Sequence, residues 1–197
     1  MIVILNYGMG NIQSVYNAFK YLDSEVEIRT PADFKDADAL VLPGVGAFKD
    51  TALLLEPYKE YIIDFLSSGK PFLGICIGLQ YLFDESFENG QWKGLGFFEG
   101  RINKLKAKKL PQIGWNTINI KKETPLLKNV SSESYVYYIN SYAADGKNAL
   151  ATSFYGEEFA AVVGFGNIFA TQFHPEKSGM VGLKILENFV EVTEQCL

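Results

Sequence analysis

Histidine is almost absent from this sequence: of 197 residues, only His174 carries an imidazole. A site built from several histidines is therefore excluded, and any imidazole chemistry has one possible location. Cysteine is nearly as rare, with only Cys76 and Cys196. Two cysteines cannot form the disulfide framework of a small secreted domain, so they favour a reducing compartment. We predict no metal site and no cofactor.

The sequence also lacks a large excess of charge and a long apolar run. The formal net charge is -5, and the one basic concentration, KLKAKK at 104–109, is too short to predict nucleic acid as the main partner. Every apolar run falls short of the roughly 20 residues that a membrane-spanning helix needs. Residues 1–10 lack the basic start of a signal peptide. We therefore expect a soluble, cytoplasmic protein.

Short apolar runs alternate with helical periodicity in the first half of the chain. The continuous apolar runs, typical of strands buried on both faces, are residues 2–5, 37–44 and 71–75. The segments with helical spacing are residues 12–22, 54–68 and 79–85. Strands and helices in alternation predict an α/β fold, with a mostly parallel central sheet flanked by helices.

From about residue 94 the pattern changes to short β-rich runs separated by turn residues. These runs are residues 101–105, 116–120, 135–140, 149–155, 159–165 and 167–173. They predict an antiparallel or mixed β extension of the sheet. A final amphipathic helix is predicted over 179–194. Because neither a linker nor a repeat is visible, we predict a single domain over residues 1–197.

Two glycines flank Cys76 in an otherwise apolar run, Gly74-Ile75-Cys76-Ile77-Gly78. A strand that only filled the core would use larger residues, because glycine costs conformational entropy and packs little. The pattern is typical of a nucleophile elbow, in which a tight strand-to-helix turn projects one side chain out of the sheet. A helix that begins just after Cys76 favours a thiolate. A buried structural cysteine is the alternative.

A second apolar run ends much later in the chain at His174-Pro175-Glu176. A thiolate nucleophile needs an imidazole to carry its proton, and the imidazole needs a carboxylate to hold its tautomer. Residues i and i+2 of an extended segment lie on one side, so we predict that Glu176 binds one ring nitrogen while the other faces Cys76. Both motifs follow parallel strands, whose carboxyl ends share one edge. The alternative is a surface histidine beside an unrelated acid.

A third motif, Gly44-Val45-Gly46, follows the strand predicted at 37–44. Its backbone N–H groups are therefore expected at the same edge of the sheet, where they are candidates for half of an oxyanion hole. An ordinary glycine-rich turn without a ligand is the alternative.

Four motifs together resemble the class I glutamine amidotransferases: NYGMGNIQSV, LPGVGAF, PFLGICIGLQYLF and GNIFATQFHPEKSG. Through GLGFFEG and IGWN the chain is also similar to the glutaminase subunits of imidazole glycerol phosphate synthase. The resemblance covers about residues 2–190 and implies the flavodoxin-like fold of that family. It implies a catalytic triad of Cys76, His174 and Glu176, which hydrolyses glutamine to glutamate and ammonia through a cysteine thioester.

The resemblance also implies roles for other residues. The oxyanion would be held by the backbone N–H groups of Val45 and Ile77. The residues that match glutamine-binding positions are Gly46, Gln80, Glu88, Ser141 and Tyr142. The residues that match partner contacts are Asn11, Trp115, Asn116 and Lys177. The implied partner is a (β/α)8-barrel cyclase subunit, which forms a heterodimer with the glutaminase and receives its ammonia in histidine biosynthesis.

Two positions depart from the usual pattern of that family, since Gln112 and Asn140 stand where histidine is usual. They leave open a related amidotransferase subunit that supplies ammonia to a different synthase, such as one that modifies a surface sugar or flagellin. A cysteine peptidase of the same superfold and a catalytically silent binding subunit are further alternatives. Hydrolysis of peptides would favour the peptidase, and a glutamine analogue that labels Cys76 would exclude the silent subunit.

Overall fold

The computed structural model describes residues 1–196, which form fourteen strands and five α-helices. The first half contains β1 (Ile2–Leu5), α1 (Ile12–Tyr21), β2 (Val26–Arg29), β3 (Ala39–Leu42), α2 (Phe48–Leu55), α3 (Lys59–Ser67), β4 (Phe72–Ile75), α4 (Ile77–Tyr81), β5 (Phe83–Ser86) and β6 (Trp92–Lys93). The second half contains β7 (Phe98–Lys104), β8 (Gln112–Thr117), β9 (Asn119–Ile120), β10 (Tyr135–Asn140), β11 (Tyr142–Ala144), β12 (Ala151–Phe154), β13 (Glu158–Phe165), β14 (Ile168–Thr171) and α5 (Gly179–Gln195).

Within residues 1–196, eight strands form the main sheet in the order β2-β1-β3-β4-β14-β13-β12-β9. The strands from β2 to β14 in this order pair in parallel, and β13, β12 and β9 pair antiparallel. The prediction of a mostly parallel sheet with an antiparallel extension is therefore confirmed. Two smaller sheets lie beside it, an antiparallel ribbon of β8 and β10 and a sheet in the order β11-β7-β5-β6.

Alternation along the parallel strands supplies both faces of the core. In β1, Ile2 and Ile4 pack into one apolar cluster, whereas Val3 and Leu5 pack into the other. Successive side chains of a strand point to opposite faces, so a continuous apolar run contributes side chains to the cores on both faces of the sheet. The first cluster includes buried residues of α1 and α5, and the second includes buried residues of α2 and α3. Helices thus cover both faces of the sheet. No helix within residues 1–196 combines the length and apolar content needed to cross a membrane.

Two helix predictions were wrong in their bounds. The segment 54–68 is not one helix, because α2 ends at Leu55, a 3-10 turn spans Glu56–Tyr58, and α3 begins at Lys59. Pro57 has no N–H to donate, so the α-helical ladder is interrupted there. The helix predicted at 79–85 instead spans Ile77–Tyr81 and gives way to β5. Pairing of β5 with β6 and β7 overrides the local helical pattern.

Two strand predictions also needed correction. The run 116–120 is divided at buried Ile118 into β8 and β9, which belong to different sheets. The strand predicted at 101–105 begins earlier, since β7 starts at Phe98. The runs predicted at 135–140, 149–155, 159–165 and 167–173 contain or overlap β10, β12, β13 and β14.

Close backbone contacts explain both glycines around Cys76. A Cβ placed on Gly78 would lie 2.0 Å from the carbonyl oxygen of Leu42, so α4 passes directly over the end of β3. A Cβ on Gly74 would lie 2.8 Å from the carbonyl oxygen of Gly78. The turn that carries Cys76 is therefore fixed by backbone packing on both sides.

We expect Gly78→Ala to lower the free energy of unfolding by roughly 3 kcal/mol, because the new methyl group meets backbone that cannot rotate away. Urea unfolding followed by circular dichroism measures the change. Gly166→Ala is the matched control: Gly166 has φ +58 but no atom within 4 Å of its Cβ position, so it should cost only about 1 kcal/mol of backbone strain. Equal losses in the two variants would contradict the crowding argument.

Candidate active site

Cys76 occupies a single-residue turn between β4, which ends at Ile75, and α4, which begins at Ile77. Its backbone has φ 55 and ψ -102, a conformation that non-glycine residues rarely adopt. Its N–H donates to the carbonyl of Thr171 at the end of β14, with an N···O distance of 2.7 Å. Such strained residues concentrate at functional sites. The turn places the cysteine at the carboxyl edge of the parallel sheet.

His174 and Glu176 form a buried pair at the same edge. His174 Nδ1 and Glu176 Oε1 are 2.8 Å apart, and the two side chains are 1% and 2% exposed. The backbone between them differs from the prediction, because Pro175–Lys177 is a 3-10 turn and not an extended segment. Proline fits the first position of a helical turn, and Ser178 Oγ stabilises the turn by donating to the His174 carbonyl, 2.6 Å away. The predicted contact between His174 and Glu176 is present, but a 3-10 turn and not an extended segment positions the two side chains.

The second ring nitrogen of His174 is left for Cys76. Nε2 is buried and makes no well-aligned hydrogen bond. Burial lowers the pKa of His174, but the neighbouring Cys76 sulfur and the Glu176 carboxylate together outweigh this effect and raise the pKa from 6.5 to about 10. The imidazole of His174 therefore favours its protonated form in this environment. Long or misaligned contacts of this kind are common in active sites without substrate.

A cavity of about 240 Å³ opens at Cys76. Its lining includes every residue expected to hold the oxyanion or glutamine, namely Val45, Gly46, Ile77, Gln80, Glu88, Ser141 and Tyr142. Cys76 itself is 4% exposed. The structure therefore brings these residues together around the sulfur, although they come from four separate stretches of the chain.

A larger concavity, of about 870 Å³, lies elsewhere, between α5 and the segment 120–132. Neither Cys76 nor His174 lines it. Size alone would select this groove, but its lining contains neither a cysteine nor a histidine. Across residues 1–196 no cluster of three or more potential metal ligands occurs. The chemistry therefore favours the smaller cavity.

Tyr7 supports the Gly44-Val45-Gly46 loop, a contact with no signal in the sequence. The phenol donates to the Pro43 carbonyl, 2.9 Å away, and a Cβ on Gly44 would lie 2.4 Å from the phenol oxygen. Burial raises the pKa of Tyr7 to about 12, so the phenol keeps its proton and remains a donor. The Tyr7 contacts therefore hold the start of the loop that borders the cavity.

Glu88 holds the other end of the same loop. Its Oε2 accepts the backbone N–H of Phe48, the first residue of α2, at 2.7 Å. The N-cap residue of α2, Ala47, has no side chain that can fill this role. A carboxylate also interacts favourably with a helix N-terminus. Glu88 therefore lines the cavity and caps α2 at the same time.

The four residues expected at a partner interface differ in exposure. Trp115 is 55% exposed and packs edge-to-face on Tyr137 with ring centroids 5.7 Å apart. Asn11 is exposed at the start of α1, and Lys177 is half-buried in the 3-10 turn beside His174. Asn116 instead uses its side-chain amide within the chain, donating to the Phe154 carbonyl at 2.9 Å. Trp115 and Asn11 are therefore exposed, whereas Asn116 and Lys177 are partly buried.

The two departures from the family pattern turn out to be cross-strand neighbours. Gln112 on β8 lies directly opposite Asn140 on β10. Both are buried, and each has a side-chain oxygen without a hydrogen-bond partner among the described residues. Asn140 lines the cavity at Cys76 and donates to the Tyr142 carbonyl at 3.1 Å. The sequence alone gave no indication that the two positions form one pair.

The single histidine allows a direct test of the Cys76–His174 interaction. In the Cys76→Ala variant the sulfur no longer raises the pKa of His174, while burial still lowers it, so the imidazole should titrate at a pH lower by at least about one unit. The imidazole NMR signal is unambiguous because His174 has no competitor. Cys196→Ala, at an exposed cysteine, should leave the titration unchanged. An identical midpoint in Cys76→Ala and the unmodified protein would contradict the interaction.

Comparisons with known proteins agree with this geometry. The family described as Glutamine amidotransferase class-I matches residues 3–192. The imidazole glycerol phosphate synthase subunit HisH of Caldanaerobacter subterraneus subsp. tengcongensis is 47% identical over 204 residues, covering 100% of each chain. The HisH subunit of Geobacillus sp. (strain WCH70) is 44% identical and covers 98% of each chain.

A solved structure with low sequence identity shares the fold. The structure of PurLQS from Thermotoga maritima superposes with a TM-score of 0.78, at 18% identity, over 96% of this chain and 97% of that chain. The family match and the full-length similarity to HisH subunits indicate the same family. The chain therefore belongs to the class-I glutamine amidotransferase family and, within it, to the family of HisH subunits.

Proposed function

We propose that this protein is the glutaminase subunit of an imidazole glycerol phosphate synthase and that residues 1–197 act as one glutamine amidotransferase domain. The observation that carries the proposal is the buried His174–Glu176 pair beside Cys76, whose side chain lines the cavity described above. Sulfur, imidazole and carboxylate supply the three roles that acyl transfer through a thioester requires. A thiol nucleophile works only while it is reduced, which supports a cytoplasmic location.

In the first half of the proposed reaction, the Cys76 sulfur attacks the side-chain amide carbon of glutamine. His174 takes the proton of the thiol and passes it to the amide nitrogen as the C–N bond breaks. Ammonia leaves, and a glutamyl thioester remains on the sulfur. Glu176 holds the imidazole in place and stabilises its positive charge through Nδ1.

In the second half, water replaces ammonia beside His174. The imidazole takes a proton from the water as its oxygen attacks the thioester carbon. The C–S bond then breaks, glutamate leaves, and the thiolate–imidazolium pair is restored. In both halves the substrate oxygen carries negative charge, and we assign its stabilisation to the backbone N–H groups of Val45 and Ile77.

We assign glutamine recognition to Gly46, Gln80, Glu88, Ser141 and Tyr142. Their position around the cavity supports this assignment. Glu88 provides a carboxylate that suits the α-ammonium group of glutamine, although the same carboxylate caps α2 when the site is empty. Binding of glutamine would therefore redistribute the hydrogen bonds of Glu88.

We expect Cys76→Ala and His174→Ala each to lower glutamine turnover by at least about 10³-fold, since the triad acts as a unit. The rate at which the full chain produces glutamate from glutamine, alone and with the cyclase, measures the loss of turnover. Cys196→Ala should retain activity because Cys196 is exposed and lies outside the cavity. Near-normal turnover by His174→Ala would refute the triad, since no other imidazole is available to replace it.

We propose that the ammonia passes to a partner subunit, a (β/α)8-barrel cyclase, in a heterodimer. The relatives are subunits of imidazole glycerol phosphate synthase, which supports a partner subunit. We assign the docking site of the cyclase to an exposed apolar face of the β8–β10 ribbon. Ile113, Trp115 and Tyr135 on this ribbon are each more than half exposed. This face adjoins the site, because the Tyr137 carbonyl accepts the N–H of His174 at 2.9 Å. We assign Asn11, Asn116 and Lys177 to the same interface.

A subunit that serves another acceptor, such as a surface sugar or flagellin, would share the same glutaminase chemistry. No contact in the structure favours that acceptor, and the relatives compared above are HisH subunits. Turnover of the cyclase intermediate with glutamine as nitrogen donor separates the two functions.

We predict that Trp115→Ala weakens binding of the cyclase at least tenfold, because a large exposed aromatic side chain is typical of an interface hot spot. Isothermal titration calorimetry measures the affinity. Phe165→Ala is the control, because Phe165 is 76% exposed and is the last residue of β13, where it pairs with Ile168 at the end of β14 remote from the site. Equal affinities for Trp115→Ala and Phe165→Ala would rule out this face as the docking site.

A further inference from the structure

Gln172 is a buried polar residue with no role in the triad. It follows β14 directly, is 0% exposed, and its side-chain Nε2 lies 3.6 Å from the Cys76 sulfur. Its backbone N–H donates to the Ala161 carbonyl of β13 at 2.9 Å. The main sheet therefore holds the backbone that carries this amide, and the amide reaches the sulfur from a rigid element.

Neighbouring hydrogen bonds determine which end of the Gln172 amide faces the sulfur. Gln80 Nε2 donates to the Tyr142 carbonyl and to Gln172 Oε1, both at 3.0 Å. The Tyr142 carbonyl accepts and cannot donate, so Gln80 must direct its nitrogen towards it. Gln172 must then present its oxygen to Gln80, and its NH2 group is left for Cys76. One chain of hydrogen bonds thus runs from Tyr142 through Gln80 and Gln172 to the sulfur.

The chemistry of the two sulfur states makes this contact selective. A neutral thiol is a weak acceptor, whereas hydrogen bonds to an ionised acceptor are about twice as strong as those between neutral groups. The Gln172 amide is buried and already oriented by Gln80, so it does not need to reorganise when negative charge forms on the Cys76 sulfur. A buried NH2 group without a good acceptor is costly. The arrangement therefore stabilises the thiolate more than the thiol.

We propose that Gln172 is a further catalytic residue, which donates a hydrogen bond to the Cys76 thiolate before attack and again when the thiolate leaves the thioester. The inference rests on the proposed function of Cys76 as the nucleophile. It adds a fourth side chain to the triad and connects the nucleophile to Tyr142 at the glutamine cavity. Gln172 itself forms no covalent bond and transfers no proton.

The test measures the pH dependence of Cys76 alkylation, which does not require glutamine turnover. The full chain is treated with iodoacetamide over a range of pH, and the Cys76 peptide is quantified by mass spectrometry, apart from that of Cys196. In Gln172→Leu the donor is lost, so the pH of half-maximal alkylation should rise by about one unit. In Gln172→Glu a carboxylate replaces the donor, so the midpoint should rise further.

Asn188→Leu is the matched control. Asn188 is another buried amide, which donates to the carbonyls of Leu126 and Lys128 at 2.9 and 2.8 Å, and it does not line the cavity at Cys76. Its loss should lower thermal stability without moving the alkylation midpoint. Gln172→Glu keeps the size of the side chain and its oxygen for Gln80, so it carries the test if Gln172→Leu does not fold.

Unchanged midpoints in the folded Gln172 variants, with only a loss of stability like that of Asn188→Leu, would overturn the inference. Failure of the proposed function has a different signature. In that case Cys76→Ala would retain glutamine turnover, whatever the alkylation midpoints of the Gln172 variants.

Discussion

The backbone turn at Cys76 is the constraint on which the site depends. Strand β4 ends at Ile75 and helix α4 begins at Ile77, so one residue in a left-handed conformation reverses the chain. A conformation of this kind costs of order 1–3 kcal/mol and persists only where the surroundings enforce it. Gly74 and Gly78 provide that enforcement, because their missing side chains let α4 lie against β3 and β4. The sulfur is consequently held at the edge of the sheet.

Parallel pairing of β4 with β14 supplies the rest of the geometry. Ile75 lies opposite Thr171, so the residues that follow each strand meet although they are far apart in sequence. The polar groups gathered there are buried in pairs, His174 with Glu176 and Gln172 with Gln80. In a site of low dielectric each satisfied pair strengthens the others, and each missing partner is costly. The Cys76 sulfur therefore lies in an electrostatic environment that the fold itself fixes.

Much of the fold, and the meeting of Cys76, His174 and Glu176 at one edge of the sheet, was predictable from sequence because both depend on local patterns. Apolar runs gave β1, β3 and β4, and glycine spacing together with the one histidine gave Cys76 and His174. The failures arose where distant contacts decide. Phe83–Ser86 forms a strand through pairing with other strands, and Tyr7 reaches Pro43 by folding alone. Gln172 stands two residues before His174, so an extended chain would place both on one side. Only the fold shows that Gln172 contacts the Cys76 sulfur.

The central claim is that the Cys76 sulfur is the atom that attacks glutamine, and covalent trapping tests it most directly. A diazoketone analogue of glutamine, incubated with the full chain and its cyclase, alkylates the nucleophile and leaves a mass tag that peptide sequencing locates. The account predicts one tag per chain, on Cys76, acquired in step with loss of activity and prevented by excess glutamine. Inactivation with Cys76 unmodified and the tag on Cys196 or another residue would contradict it.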